Sequence, residues 1–143
     1  MYVVVLGAGQ IGASASKWLI ESNHEITTID RDEYRCASLD DELGSITLVG
    51  DGTEADVLAQ AGVNRADLFL ATTNCDEDNM VACQLARHRF GVDFTVSLVN
   101  IPDHERLFNL LGIGVVVNAS NLISRELREV VLRQLPEESG NQE

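Results

Sequence analysis

The sequence predicts an α/β protein with a doubly wound parallel sheet of six strands, helices on both faces and a C-terminal crossover helix. Three observations predict it. Short β-branched runs alternate with segments of helical period along the chain, the pattern of a parallel sheet covered by helices. Gly44, Gly62, Gly91 and Gly112 each close a helical pattern, where a left-handed cap is wanted. The first strand runs straight into a glycine-rich loop that opens a helix.

In chain order, the apolar run at 2–6 is the first strand and 10–21 the first helix. Strands follow at 25–30, 46–49, 67–71, 94–99 and 114–117, and helices at 33–43, 54–61, 76–90 and 102–111. Asp76 and Asp103 stand where helix N-termini favour negative charge. A last helix at 119–135 spans about 25 Å at 1.5 Å per residue. Its residues Ile123, Leu127, Val130, Val131 and Leu135 form one apolar stripe, with Leu122 and Leu132 beside it. That is wider than one packing face needs. The helix either docks on its own sheet or contacts another subunit. One domain is expected over 1–135, and the polar, acidic stretch 136–143 reads as a disordered tail.

Composition supports a single core. A chain of 143 residues, 45% of them hydrophobic, buries roughly two-thirds of the surface its unfolded form exposes. The net charge of −13 comes from 23 acidic and 10 basic residues, and the isoelectric point is 4.4. Such a chain repels nucleic-acid phosphates and anionic lipid, so neither is an expected partner. Lys17 is the sole lysine. Adaptation to high salt and ordinary acidic drift both account for that balance. Cys36, Cys75 and Cys83 form no CxxC pair, which indicates neither a disulfide framework nor a zinc knuckle and points to a reducing, cytoplasmic setting. Cys83 reads as a core residue and Cys75 as the more exposed thiol. A strand beginning at Tyr2 leaves no room for a signal peptide, and no apolar run approaches the ~18 residues of a membrane span.

After the first strand comes Gly7-Ala8-Gly9-Gln10-Ile11-Gly12, a GxGxxG between a strand and a helix, with an acidic residue, Asp30, ending the second strand. This is the Rossmann dinucleotide-binding arrangement. Gly7 permits the tight turn, Gly9 lets the backbone approach a pyrophosphate, and Gly12 allows the helix to pack closely on the strand. The amides of Gln10 and Ile11 point at the anion, so phosphate is held without a lysine. Asp30 accepts from ribose hydroxyls and disfavours a 2′-phosphate, which selects NAD over NADP; the neighbouring Arg31 weakens that selection. Asp51, Gly52 and Thr53 follow the third strand, where an adenine lies in such a sheet. The alternative is a simple turn in which Thr53 caps the next helix. Thr73 and Asn74 place a hydroxyl and an amide near the crevice, in a stretch that also resembles a capped acidic helix start.

Taken together and in order, GAGQIG, Asp30, VGDGT, AGV..AD, T..DE.N and VN.P resemble the nucleotide-binding regulatory domains of potassium transport, the RCK, KTN or TrkA-N domains. The stretches from Met80 to Ala86, from Phe90 to Val92 and from Leu107 to Ile113 match as well, so the likeness reaches to about Leu135. The resemblance implies a cytoplasmic module without catalytic activity. Such a module binds NAD(H), or in many relatives ATP, ADP or AMP, and gates a membrane potassium transporter or channel. It implies a homo-oligomer (dimer, tetramer or ring) and a final helix that crosses toward a neighbour. By the same resemblance Gly7, Ala8, Gly9, Gln10, Ile11 and Gly12 meet pyrophosphate, Asp30 and Arg31 flank the ribose, Asp51, Gly52 and Thr53 face the adenine, and Thr73 and Asn74 face the second half of the ligand. Leu98 departs from the family, which frequently has an arginine there. Many relatives also continue into a further domain or repeat the unit. The competing reading is the cofactor domain of an NAD-dependent oxidoreductase, which needs an acid or base beside the nicotinamide. His24, His88 and His104 do not fall clearly at the crevice.

Overall fold

Six strands, β1 (Tyr2–Leu6), β2 (Glu25–Asp30), β3 (Thr47–Val49), β4 (Leu68–Ala71), β5 (Phe94–Val99) and β6 (Val115–Asn118), pair in parallel in the order β3-β2-β1-β4-β5-β6. This is the expected doubly wound sheet, and the computed structural model describes it over residues 1–136. Of the tail expected at 136–143, residues 137–143 lie outside the described residues. The helices are α1 (Gln10–Glu21), α2 (Glu33–Leu43), α3 (Ala55–Gln60), α4 (Asp76–Gln84), α5 (Glu105–Leu110) and α6 (Ala119–Gln134).

The chain builds outward from β1 to β3, then returns to the other side of β1 to build β4, β5 and β6. Right-handed crossovers therefore put α1 and α2 on one face and α3, α4 and α5 on the other. Packing follows that division. Val4 and Leu6 of β1, with Ile29 and Phe69, meet Leu58 of α3, Ala82 and Cys83 of α4, and Phe108 of α5. Val3 and Val5 turn to the opposite face with Ile26 and meet Leu19 of α1. β1 is the central strand, and its three valines are fully buried, which is why it reads as a continuous apolar run rather than an alternating one. Burial pushes the Cys83 thiol up to about 12 despite a hydrogen bond with Ser97, so it packs as a small core residue.

Element boundaries differ from the expectation for identifiable reasons. β3 begins at Thr47 rather than 46, and the amides of both Ile46 and Thr47 donate to the Asp40 carboxylate, at 2.9 and 3.0 Å. β6 starts at Val115 because the Gly114 amide donates to the Thr95 hydroxyl at 3.1 Å, and it runs on to Asn118, which pairs with Val99. The helix expected over 76–90 stays α-helical only to Gln84, and a π-turn, Leu85–Arg89, completes it. There the Arg87 guanidinium and the Gln84 amide reach the carbonyls of Gly112 and Leu111. The helix expected over 102–111 opens as a 3₁₀ turn, Pro102–His104, before α5. β4 starts one residue late, α3 is one residue shorter at each end, and α6 ends at Gln134. The four helix-closing glycines all have positive φ, between 71° and 96°.

Helix α6 departs from one of the two roles expected of it. Asn118 caps it by accepting from the Asn121 amide at 3.1 Å, but no residue of the helix is buried. The stripe residues and their neighbours remain 44% to 61% exposed. Docking on its own sheet is therefore not what this helix does.

Candidate nucleotide-binding site

The glycine loop has the geometry its spacing requires. Gly7 leaves β1 with φ +108°, a conformation that side chains beyond glycine rarely adopt, while its amide donates to Ile29 O at 2.7 Å. A Cβ on Gly12 would lie 1.8 Å from Gly7 O, so the first turn of α1 can rest on the loop only with glycine there. Gly9 is different. A Cβ built on it meets nothing nearer than Arg35 Nη1 at 4.0 Å, so this backbone faces open space, as close approach by a ligand demands. Gly9 caps α1 without a side-chain hydrogen bond, and the first turn carries no carboxylate. The first amides of that turn have no intrahelical partner, the arrangement that holds an anion, and Gly9, Gln10 and Ile11 wall the cleft.

Asp30 ends β2 beneath this loop, and both its carboxylate oxygens are engaged within the fold. One oxygen accepts from the Ala8 amide at 2.7 Å and the other from the Asp32 amide at 2.8 Å. Arg35 Nη1 stands 4.0 Å from it. Ribose hydroxyls can be met by the lone pairs that remain. Ala8 itself is buried, so its part in the site is this bond rather than a surface contact.

Arg31 turns across the opening of the cleft. Its Nη2 lies 2.8 Å from Asp51 Oδ1 and 3.3 Å from Asp78 Oδ2, which raises its pKa through the bond to Asp51 first and the field of Asp78 second. Burial alone would lift the Asp51 carboxyl, but hydrogen bonds from Thr53 and Arg31 outweigh it and hold Asp51 below the usual carboxylate range. Thr53 does not cap α3. Its amide and hydroxyl both donate to Asp51 Oδ1, at 2.8 and 2.7 Å, forming a local Asx turn, while Glu54 takes the cap position with no side-chain bond.

On the far side of the crevice, Thr73 Oγ1 donates to the fully buried Asn79 at 2.6 Å, and Asn79 Nδ2 returns a bond to Thr73 O at 3.0 Å. Asp76, also buried, accepts from the Asn100 amide and side chain, both at 2.8 Å, from the Ile101 amide at 2.9 Å, and bonds His104 Nδ1 at 2.9 Å. Burial by itself would raise this carboxyl, but the bonds to Asn100, Ile101 and His104 prevail and hold it below its ordinary range.

These parts line two adjoining lobes at the carboxyl edge of the sheet. A lobe of about 250 Å³ is walled by Gly7, Asp30, Arg31, Asp51, Gly52, Thr53, Thr73 and Asn74, with Arg35 and Asp78. A second, of about 280 Å³, is walled by Gly7, Gly9, Gln10, Ile11, Asp30, Thr73 and Asn74, with Leu98 and Asn100. Of the residues singled out from sequence, only Ala8 and Gly12 line neither lobe; both act beneath the loop. Sequence reasoning missed Arg35, Asp78 and Asn100 as lining residues. Arg35 lies in the first turn of α2, four residues after Arg31, and Asn100 lies within the quoted VN.P, so signals existed; Asp78 had none beyond an acidic helix start. Among the described residues, neither lining includes a histidine.

Strand order, glycine loop, acid-ended β2 and a cleft at the point where the winding reverses define a dinucleotide-fold binding domain. Comparison with known proteins narrows the class. The TrkA-N domain model matches residues 3–119, and the chain belongs to that family. It is 33% identical over 133 residues to a Trk system potassium uptake protein TrkA homolog of Methanothermobacter thermautotrophicus, covering 93% of this chain and 61% of that protein. It is 36% identical over 119 residues to the Trk system potassium uptake protein TrkA of Vibrio alginolyticus, covering 80% and 26%. The chain thus spans less than two-thirds of the length of either relative. Among solved structures, the GsuK channel bound to NAD superposes with a TM-score of 0.79 at 25% identity, covering 88% of this chain and 23% of that one.

Proposed function

We propose that the protein is a cytoplasmic regulatory domain of a potassium uptake system. It binds NAD(H), with ATP, ADP or AMP as competing occupants, and passes the state of its cleft to a membrane transporter or channel through rearrangement of a homo-oligomer. The observation that carries this reading is the continuity of the cleft. Gly9, Gln10 and Ile11 at the start of α1 wall the lobe of Leu98 and Asn100, and that lobe shares Gly7, Asp30, Arg35, Thr73 and Asn74 with the acidic lobe beside it. The acidic lobe is lined by Asp30, Asp32, Asp51 and Asp78 against Arg31 and Arg35. Excess carboxylate there suits ribose hydroxyls and disfavours a 2′-phosphate. The Trk relatives and the NAD-bound GsuK channel support the potassium-transport setting and the ligand class.

The exposed stripe of α6 is the subunit contact. A helix 16 residues long with no buried side chain gains its stability from association, because burial drives such pairing at about 25 cal/mol per Å² of apolar surface. Catalysis is not part of the reading, since His104 is held by Asp76 at 2.9 Å rather than presented to the cleft. Among the described residues, no helix is long and apolar enough to cross a membrane, so the membrane component is a separate chain or segment.

The test is calorimetric titration with NADH, NAD, ATP, ADP and AMP, paired with sedimentation of each complex. Binding of at least one nucleotide with a changed mass or shape is expected. Equal affinity for two arrangements shifts nothing, so identical sedimentation in every ligand state refutes the regulatory reading.

A further inference from the structure

Arg31 follows Asp30 directly in sequence, where an arginine beside the ribose can accommodate a 2′-phosphate, yet its guanidinium is engaged elsewhere. Its Nη2 lies 2.8 Å from Asp51 Oδ1 and 3.3 Å from Asp78 Oδ2. These two carboxylates come from opposite halves of the winding, Asp51 from the loop after β3 and Asp78 from the first turn of α4. Asp51 is itself fixed, because the Thr53 amide and hydroxyl donate to the same oxygen. The other guanidinium of the lobe is taken as well: Arg35 stands 4.0 Å from Asp30 and 3.8 Å from Asp32. Four carboxylates against two guanidiniums leave the lobe with two negative charges in excess.

Resting on the nucleotide-binding reading above, we infer that Asp51 and Asp78 set the preference for a free 2′-hydroxyl by holding Arg31 away from the place of a 2′-phosphate. The lobe therefore contains a latent 2′-phosphate receptor. Arginine carries the fork of donors that suits phosphate, but here it closes an ionic bridge between the two halves of the fold. Turning it to a 2′-phosphate strips Asp51 and Asp78 of their shared cation, while the phosphate itself brings about −1.5 to −2 further charge. Asp51 also holds its own loop through Thr53, whereas Asp78 reaches across the cleft to Arg31, so Asp78 is the specificity-determining position that can be changed without unmaking the loop.

Calorimetric titration of the full chain with NAD and with NADP at fixed ionic strength tests this, read as the ratio of the two dissociation constants, in which a loss common to both ligands cancels. Wild type is expected to bind NAD the more tightly. Asp78→Asn, and Asp78→Ala likewise, is expected to shift the ratio toward NADP by at least about fivefold, the worth of one guanidinium–phosphate contact at an exposed site. Arg31→Gln is the control. Added to Asp78→Asn, it brings the shift back below about twofold, the effect of removing one screened carboxylate by itself; alone, it moves the wild-type ratio by less than about twofold, because the guanidinium is already engaged. An unchanged ratio in both Asp78 variants, a shift of the same size with Arg31 already removed, a larger shift in Arg31→Gln alone, or a wild type that binds NADP as tightly as NAD overturns the inference and leaves the nucleotide site standing. Absence of binding by both probes overturns the inference and the nucleotide reading together.

Discussion

Asp76→Asn isolates the interaction that joins the two halves of the second lobe. The carboxylate accepts two bonds from Asn100 on one oxygen, and on the other it takes the Ile101 amide and His104. With its oxygen turned to Asn100, the new amide keeps two bonds but makes them neutral, a loss of about 1 kcal/mol each when charge-assisted bonds become ordinary ones. Its NH2 then faces the Ile101 N–H, donor against donor, and leaving that buried amide unpaired costs about 1–3 kcal/mol. His104 offsets part of the loss by accepting from the new NH2 in its other tautomer. The expected destabilisation is about 2–4 kcal/mol, read by urea unfolding at fixed protein concentration because oligomerisation contributes to apparent stability. The pH dependence adds a second check. Since the folded carboxyl sits below its ordinary 3.8, its contribution is complete above that value and disappears as pH falls through the lower folded value. The gap between wild type and variant is therefore constant from pH 7 down to about 5 and narrows only in strong acid. A loss under about 1 kcal/mol at neutral pH, or a gap that narrows already near pH 6, refutes the reasoning.

Gly12→Ala drives a Cβ against Gly7 O, which lies 1.8 Å away; overpacking of this kind costs about 1–3 kcal/mol or more, and calorimetry should show nucleotide affinity falling along with thermal stability. Asp30→Ala leaves the Ala8 and Asp32 amides without their acceptor and removes the ribose partner, so NAD affinity is expected to fall about tenfold, or 1.4 kcal/mol; an unchanged dissociation constant would contradict the placement of the ribose. Leu127→Asp, at a position 61% exposed on α6, should alter monomer unfolding by no more than about 0.5 kcal/mol yet shift sedimentation toward smaller species, and an unaltered oligomer would exclude α6 as the contact.

Most of the architecture was legible because it rests on local signals. Strands with β-branched runs, glycine at helix ends and a glycine loop between strand and helix are each encoded within a few residues, so six strands, six helices and the glycine turn could be placed from the chain alone. The structure leaves the space over Gly9 open and puts a Cβ on Gly12 1.8 Å from Gly7 O, so the close packing read for Gly12 is present in the fold. What escaped were the partners. Asp76 was read as a helix-terminal charge, because nothing local marks it as acceptor for Asn100, Ile101 and His104, which lie 24 to 28 residues away. Asp30 was read as a ribose acceptor, while its bond to Ala8 depends on β1 and β2 pairing in register.

The sequence by itself determined the doubly wound sheet and the glycine loop, since backbone conformation and hydrophobic period are properties of short segments. Tertiary structure alone decided that the cleft has two lobes, that Arg31 spans one of them to Asp51 and Asp78, and that α6 is anchored through Asn100 with its apolar stripe uncovered. Those facts depend on which distant residues the folded sheet brings within hydrogen-bonding distance, and an amphipathic stripe has the same spacing whether the surface that buries it belongs to its own chain or to another.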